Sequence, residues 1–265
     1  MITKNDYKLL ALDVDGTLLN SRHQLTERVR HALQRVAQRG VRVVLVSARS
    51  PASMMGFVEQ IGSPEMVVAL NGALVVGPER ELLLRLSFAE SVVEQLIVLA
   101  AEFGLSVHLY SGFTWYTEQM SPIVKRQIAI VGFRPQLGPF PPDIVSHIEK
   151  ILVIGEATAL GVFYDQVSRQ GLAVAMVYSM ADRIELTAPR VSKATGLAEV
   201  CRRLNIPARA TIAVGDNHND RTMIEFAGLG IAMGNAPAAV QAVAQVVIGS
   251  NDQDGVAGFV DKLFA

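Results

Sequence analysis

Short apolar runs that stop abruptly on polar residues constrain this chain more than any other feature. Tyr7 to Leu12 runs straight into Asp13-Val14-Asp15-Gly16-Thr17. Val41 to Val46 stops at Ser47-Ala48-Arg49, Val67 to Leu70 at Asn71-Gly72, and Thr211 to Val214 at Gly215-Asp216-Asn217-His218-Asn219-Asp220. Runs this short and this apolar fit strands buried on both faces, as in a parallel sheet. Between the first two, Leu25, Val29, Leu33 and Val36 recur at helical spacing and Gly40 supplies a stop. Strand, helix, strand, helix, strand predicts a doubly wound, mostly parallel α/β sheet of Rossmann-like type with right-handed crossovers.

The pattern returns near the C-terminus, with a helix expected from about 220 to 227, a strand at 230–233, a helix at 240–244 and a short strand at 246–248. The middle reads differently. From about Leu82 to Glu185 the strands carry aromatics, as in SVHLYSGFTWYTE, and helices are expected at 89–103 and 158–169. The expected organisation is a core of residues 1–82 and 186–265, with an inserted α+β cap at 83–185. At 265 residues the chain is long enough for two such units.

Composition excludes several function classes. Half the residues are hydrophobic and 18% charged, which supports a sizeable core. Lys plus Arg total 24 against 25 Asp plus Glu, so no basic excess points to nucleic acid. A single cysteine, Cys201, rules out an internal disulfide and fits a reducing cytoplasm. The N-terminal MITKNDYKLL has polar residues where a secretory leader needs an apolar stretch. Arg42, Asn71 and Gln241 interrupt the apolar segments before the roughly 20 residues of a membrane helix. A soluble, cytoplasmic protein without a membrane partner is expected.

Ligands of open α/β sheets gather at the carboxyl ends of the strands. Four strand ends here bring carboxylates (Asp13, Asp15, Asp216), a hydroxyl and amides towards one place. Such a cluster repels itself unless a hard cation sits in it, and oxygen-only ligands favour Mg²⁺ over zinc or copper. One aspartate beside the metal can attack phosphorus, and a second can move protons. Gly16 lets backbone N–H groups turn towards an anion.

These motifs resemble those of the haloacid dehalogenase superfamily, in its Cof-type branch of capped phosphatases. DVDGT at 13–17 is similar to the first motif and GDNHND at 215–220 to the fourth. VSKATGL resembles the third, MVVALNGA the Asn–Gly element, and NDQDGVAGFVDKL a C-terminal segment of that branch. The resemblance spans nearly the whole chain, with the insert where that branch carries its cap. It implies Mg²⁺-dependent hydrolysis of a small phosphorylated metabolite through an aspartyl-phosphate. Sugar phosphates come first as substrates, then phosphorylated cofactors such as pyridoxal phosphate or flavin mononucleotide.

By the same resemblance, Asp13 is the nucleophile and Asp15 the general acid and base. The Asp13 and Asp216 carboxylates and the Asp15 main-chain carbonyl hold Mg²⁺, with Asp220 supporting the shell. Ser47 and the Ala48 N–H contact the phosphoryl group, and Lys193 stabilises its charge and orients Asp13. Asn219 contacts phosphate or Lys193, and Asn71 lies on the substrate side. Two motifs depart from the family pattern: Ser47-Ala48 stands where threonine-glycine is usual, the serine keeping the hydroxyl, and Ala194 stands where a glycine is usual. A phosphosugar mutase with the same motifs is the nearest alternative. A phospho-receiver or non-catalytic phosphate-binding protein is another, though receivers are about half this length and lack a cap. Trp115, Tyr116 and Tyr110 are read as packing rather than as a pocket wall.

Overall fold

The computed structural model describes residues 7–62 and 66–264. Residues 1–6, on which the reading against a secretory leader leans, lie outside the described residues. The strands are β1 (Leu9–Leu12), β2 (Arg42–Val46), β3 (Val67–Ala69), β4 (Leu74–Val76) and β5 (Leu82–Arg85), then β6 (Ser106–Ser111), β7 (Thr114–Thr117), β8 (Gln136–Leu137), β9 (Lys150–Ile154), β10 (Ala175–Met180) and β11 (Arg183–Thr187), and finally β12 (Thr211–Gly215), β13 (Leu229–Ala232) and β14 (Val246–Val247).

They form an eight-stranded sheet in the order β14-β13-β12-β1-β2-β3-β4-β5 and a six-stranded one in the order β10-β11-β9-β6-β7-β8. The described residues divide into two units. One falls within Met1–Arg49, Met54–Leu84 and Ser192–Ala265, the other within Ser50–Ser53 and Arg85–Val191.

In the first unit β1 runs parallel to β2 on one side and β12 on the other, with Leu12 opposite Leu45 and Val214. The ends of β1, β2 and β12 therefore finish side by side. All four residues of β1 are fully buried, so both faces of the sheet are covered. Leu9 and Ala11 pack with Leu197, Val200 and Cys201 of the helix Lys193–Leu204 and with Met223 of Arg221–Phe226. The helix Glu27–Gln38 packs against β2 and against Gly255–Leu263. Its start is fixed by Thr26, whose hydroxyl accepts from the Val29 amide at 3.2 Å.

One edge of this mostly parallel sheet is antiparallel. After β3, residues 70–72 turn the chain back, and β4 pairs antiparallel with β3, Val68 opposite Val75. The Asn71-Gly72 turn makes this possible: Asn71 has φ 60° and Gly72 φ 99°.

The second unit is α+β. Leu109, Ile151, Val153, Ile184 and Leu186 from β6, β9 and β11 pack on Val93, Leu96, Leu160 and Phe163 of the helices Glu90–Glu102 and Ala157–Arg169. Trp115 is fully buried, donates to His108 Nδ1 at 3.0 Å and stacks with His108 and Tyr110. Burial lowers His108 to about 4, which keeps Nδ1 a neutral acceptor. Among the described residues no helix is long and apolar enough to cross a membrane.

Candidate active site

β1 delivers Asp13 to the end of the sheet, and the Asp13 amide donates to Val214 O of β12 at 3.0 Å. The chain turns at Gly16, whose φ is 84°; a Cβ there would lie 2.3 Å from Asp216 Oδ2. That close approach needs glycine and brings the first loop against the loop after β12.

Lys193 reaches the cluster from the first position of its helix. Ser192 caps that helix, its hydroxyl accepting from the Thr195 amide at 3.1 Å. A cation is ordinarily disfavoured at a helix N-terminus, so this lysine needs compensation, and it has it. Its Nζ lies 2.5 Å from Asp13 Oδ1 and 2.5 Å from Asp220 Oδ1. All three groups are almost sealed: Asp13 is 4% exposed, Lys193 1% and Asp220 0%. The other oxygen of Asp220 accepts from the Asp216 and Asn217 amides at 2.9 and 2.8 Å. Asp216 is held by Thr17, whose hydroxyl donates to Oδ1 at 3.0 Å, and by Asn235 Nδ2 at 3.4 Å from Oδ2. The same Asn235 nitrogen donates to Gly16 O at 2.9 Å.

Asp13, Asp216 and Asp220 each offer an oxygen within 4.8 Å of the others. Three carboxylates meet one ammonium, and the pKa shifts show the shortage of positive charge. Burial pushes the Asp13 carboxyl well up; Lys193 pulls it back, while Asp220 and Asp216 add to the rise. Burial and then Asp220 raise Asp216 to about 6, against Thr17 and Lys193. Burial disfavours the Lys193 charge, but Asp13 and Asp220 outweigh it and hold the ammonium above the ordinary lysine range. An all-oxygen donor set short of about two positive charges suits a hard divalent cation such as Mg²⁺.

Asp15 lies apart from that cluster. Arg49 grips it with two hydrogen bonds, Nε to Oδ2 and Nη2 to Oδ1, both 2.7 Å. His23 Nδ1 is 3.5 Å from Oδ1. Burial alone would raise the Asp15 carboxyl; the Arg49 hydrogen bonds outweigh it and the pKa falls.

Ser47, at the end of β2, is 2% exposed and its hydroxyl accepts from the Arg49 amide at 3.2 Å. Asn219 Nδ2 donates to Asn71 Oδ1 at 2.9 Å, tying the loop after β12 to the end of β3. Neither Ala48 nor Ala194 has a positive φ, so the methyl groups cause no backbone strain where glycines are usual. His218 is exposed.

Sequence reasoning missed Arg49, Thr17 and Asn235. Arg49 was in view as the last residue of Ser47-Ala48-Arg49; a cation at a strand end beside carboxylates was the available signal. Thr17 closes the DVDGT run. Asn235 follows β13 at the same edge of the sheet as the other loops, and only that topology marks it.

Comparison with known proteins gives a consistent result. The family model described as haloacid dehalogenase-like hydrolase matches residues 10–260. The HMP-PP phosphatase of Cronobacter sakazakii is 30% identical over 230 residues, covering 86% of this chain and 85% of that protein. The 5-amino-6-(5-phospho-D-ribitylamino)uracil phosphatase YitU of Bacillus subtilis is 26% identical over 275 residues, covering 97% of each. Among solved structures, a haloacid dehalogenase-like hydrolase from Bacteroides thetaiotaomicron matches with a TM-score of 0.90 at 30% identity, covering 97% of this chain and 100% of that one.

Proposed function

The chain belongs to the haloacid dehalogenase-like hydrolases, and on that premise we propose that it is a Mg²⁺-dependent phosphatase of small phosphate monoesters working through an aspartyl-phosphate. The observation that carries this reading is the sealed cluster in which one lysine bridges Asp13 and Asp220 beside Asp216. Mg²⁺ would be held by the Asp13 and Asp216 carboxylates and the Asp15 main-chain carbonyl. When bound, it supplies the missing positive charge and polarises a phosphoryl oxygen.

An Asp13 carboxylate oxygen attacks phosphorus as the bond to the leaving oxygen breaks. Asp15 gives that oxygen its proton. Asp15 then takes a proton from water, and the water oxygen attacks the phosphorus of the aspartyl-phosphate, freeing phosphate and Asp13. Lys193 orients Asp13 and offsets charge on the phosphoryl oxygens. Asp220 holds Lys193 and, through the Asp216 and Asn217 amides, the loop that carries Asp216. Ser47 and the Ala48 N–H bind the phosphoryl group, with Asn71 and Asn219 at its border.

Sugar phosphates are the first substrates to try, then phosphorylated cofactors; the two relatives named above as phosphatases support small phosphorylated compounds as the class. The test is phosphate release from a panel of such metabolites with Mg²⁺ and with chelator. Release that needs Mg²⁺ is expected. No release from any of them by the folded, Mg²⁺-supplied protein would overturn the reading.

A further inference from the structure

We propose that Arg49 is the positioning residue for Asp15: its guanidinium holds that carboxylate in the one orientation from which protons are passed. The inference deepens the reading above and rests on the acid–base role given there to Asp15. Three observations support it. The pair is bidentate, Nε to Oδ2 and Nη2 to Oδ1 both at 2.7 Å, an arrangement that fixes a carboxylate plane as well as its place. The arginine itself is anchored. Its amide donates to the Ser47 hydroxyl at 3.2 Å, its carbonyl accepts from the Leu70 amide at 3.0 Å, and its guanidinium lies 5.8 Å from the centre of the Phe57 ring. Asp15, in contrast, keeps a side chain 42% exposed, so without a partner it would sample several rotamers in water.

Proton transfer needs a carboxyl oxygen within about 2.6–3.2 Å of the reacting atom, which a wandering side chain seldom meets. Each carboxylate oxygen has two lone-pair sites. Arg49 takes one site on each oxygen and His23 Nδ1 stands 3.5 Å from Oδ1, so the second site of Oδ2 is the one that faces substrate or water. Lysine could match the charge but not the fork.

The experiment measures kcat/KM, which reports events up to leaving-group departure, for p-nitrophenyl phosphate and for whichever alkyl phosphate of the panel turns over fastest. The aryl leaving group departs without a proton and the alkyl one needs it. Wild type, Asp15→Asn, Arg49→Gln, Arg49→Lys and the double variant Asp15→Asn/Arg49→Gln are compared, with circular dichroism on each.

Arg49→Gln is expected to lower the alkyl value about 10- to 100-fold, a part of the 10²–10⁴ that proton transfer supplies, and the aryl value by less than about 3-fold. Arg49→Lys should fall between wild type and Arg49→Gln, and it carries the test if Arg49→Gln does not fold. The double variant should be no worse on the alkyl substrate than Asp15→Asn alone, because both changes remove one function. Equal losses on the two substrates, or losses that multiply in the double variant, overturn the proposal and make Arg49 an independent substrate contact or a structural residue. If Asp15→Asn shows no leaving-group dependence, the acid–base reading falls and this proposal with it. If Asp15→Asn shows it and the Arg49 variants do not, only the positioning role is lost.

Discussion

At the scale of single residues, the site is a charge imbalance held in place by burial. Asp13, Asp15, Asp216, Asp220 and Lys193 were legible in the sequence because strand-end carboxylates and a helix-opening lysine stand in recognisable local strings. Arg49 and Asn235 were not, because their partners Asp15 and Gly16 lie on other loops and meet them only once the parallel register is set. Two predictions belong here. Asp13→Asn replaces the carboxylate proposed to attack phosphorus with a poorly nucleophilic amide, and turnover should fall by about 10⁴-fold or more, as loss of a nucleophile generally does, while far-UV circular dichroism is kept; steady turnover by the folded variant would refute the assignment. Asp216 gives a pH prediction. Burial, and then Asp220, raise its folded pKa to about 6, above the ordinary aspartate value of about 3.9, so between those values the folded state binds more protons than the unfolded one. Stability of the metal-free protein from this group is thus present at low pH and lost as pH rises towards 6. In thermal melts with chelator, Asp216→Asn should gain on wild type across that window and hold the gain above it. A constant difference from pH 4 to pH 7 would contradict the raised pKa.

At the scale of elements, the placement of Lys193 depends on how closely one helix approaches one turn. A Cβ on Gly72 would lie 1.9 Å from Ser192 O, the carbonyl of the residue that caps the lysine's helix, and φ there is 99°. The Asn71-Gly72 pair is readable as a turn, but its strand ends at Ala69 rather than at the expected Leu70, which joins the turn with φ 53°. The hairpin it makes with β4 was not read, since Leu74–Val76 is only three residues and has no periodicity of its own. Helix ends differ too: the helix expected from 220 to 227 is Arg221–Phe226, because Asp220 belongs to the 3₁₀ turn His218–Asp220 that Asn217 and Asp220 close. Gly72→Ala should cost about 1–3 kcal/mol or more by overpacking, and it should depress turnover beyond the loss of folded protein, because the clash pushes Lys193 away from Asp13. Urea unfolding combined with activity per folded molecule checks both. An alanine variant with wild-type stability would mean the turn relaxes freely.

At the scale of the whole molecule, two separate cores share one chain, and all the groups of the acidic cluster lie in one of them. Leu9, Val44 and Ala213 belong to the unit that carries Asp13, Asp216 and Lys193, while Leu109, Ile151 and Phe163 form the core of the other. A cation that binds only the folded first unit stabilises it by mass action, about 2.7 kcal/mol at 100 times its dissociation constant. Hydrogen exchange should therefore slow with Mg²⁺ in β1, β12 and the helix Lys193–Leu204, with little change in β6 and β9. Asp216→Ala should abolish that protection, since it removes a ligand charge. Lys193→Ala should keep it and lose turnover, since in the proposed mechanism the lysine serves Asp13 and the phosphoryl oxygens rather than the metal. Ca²⁺ should protect the same amides yet support poor turnover: it takes more ligands at longer distances and can draw a second Asp13 oxygen into its shell, which ties up the nucleophile. Equal protection of both units by Mg²⁺ would mean that they unfold as one, and protection lost in Lys193→Ala as fully as in Asp216→Ala would place the lysine in the metal's own hold. Full turnover with Ca²⁺ would remove the argument that the shell leaves Asp13 one oxygen for attack.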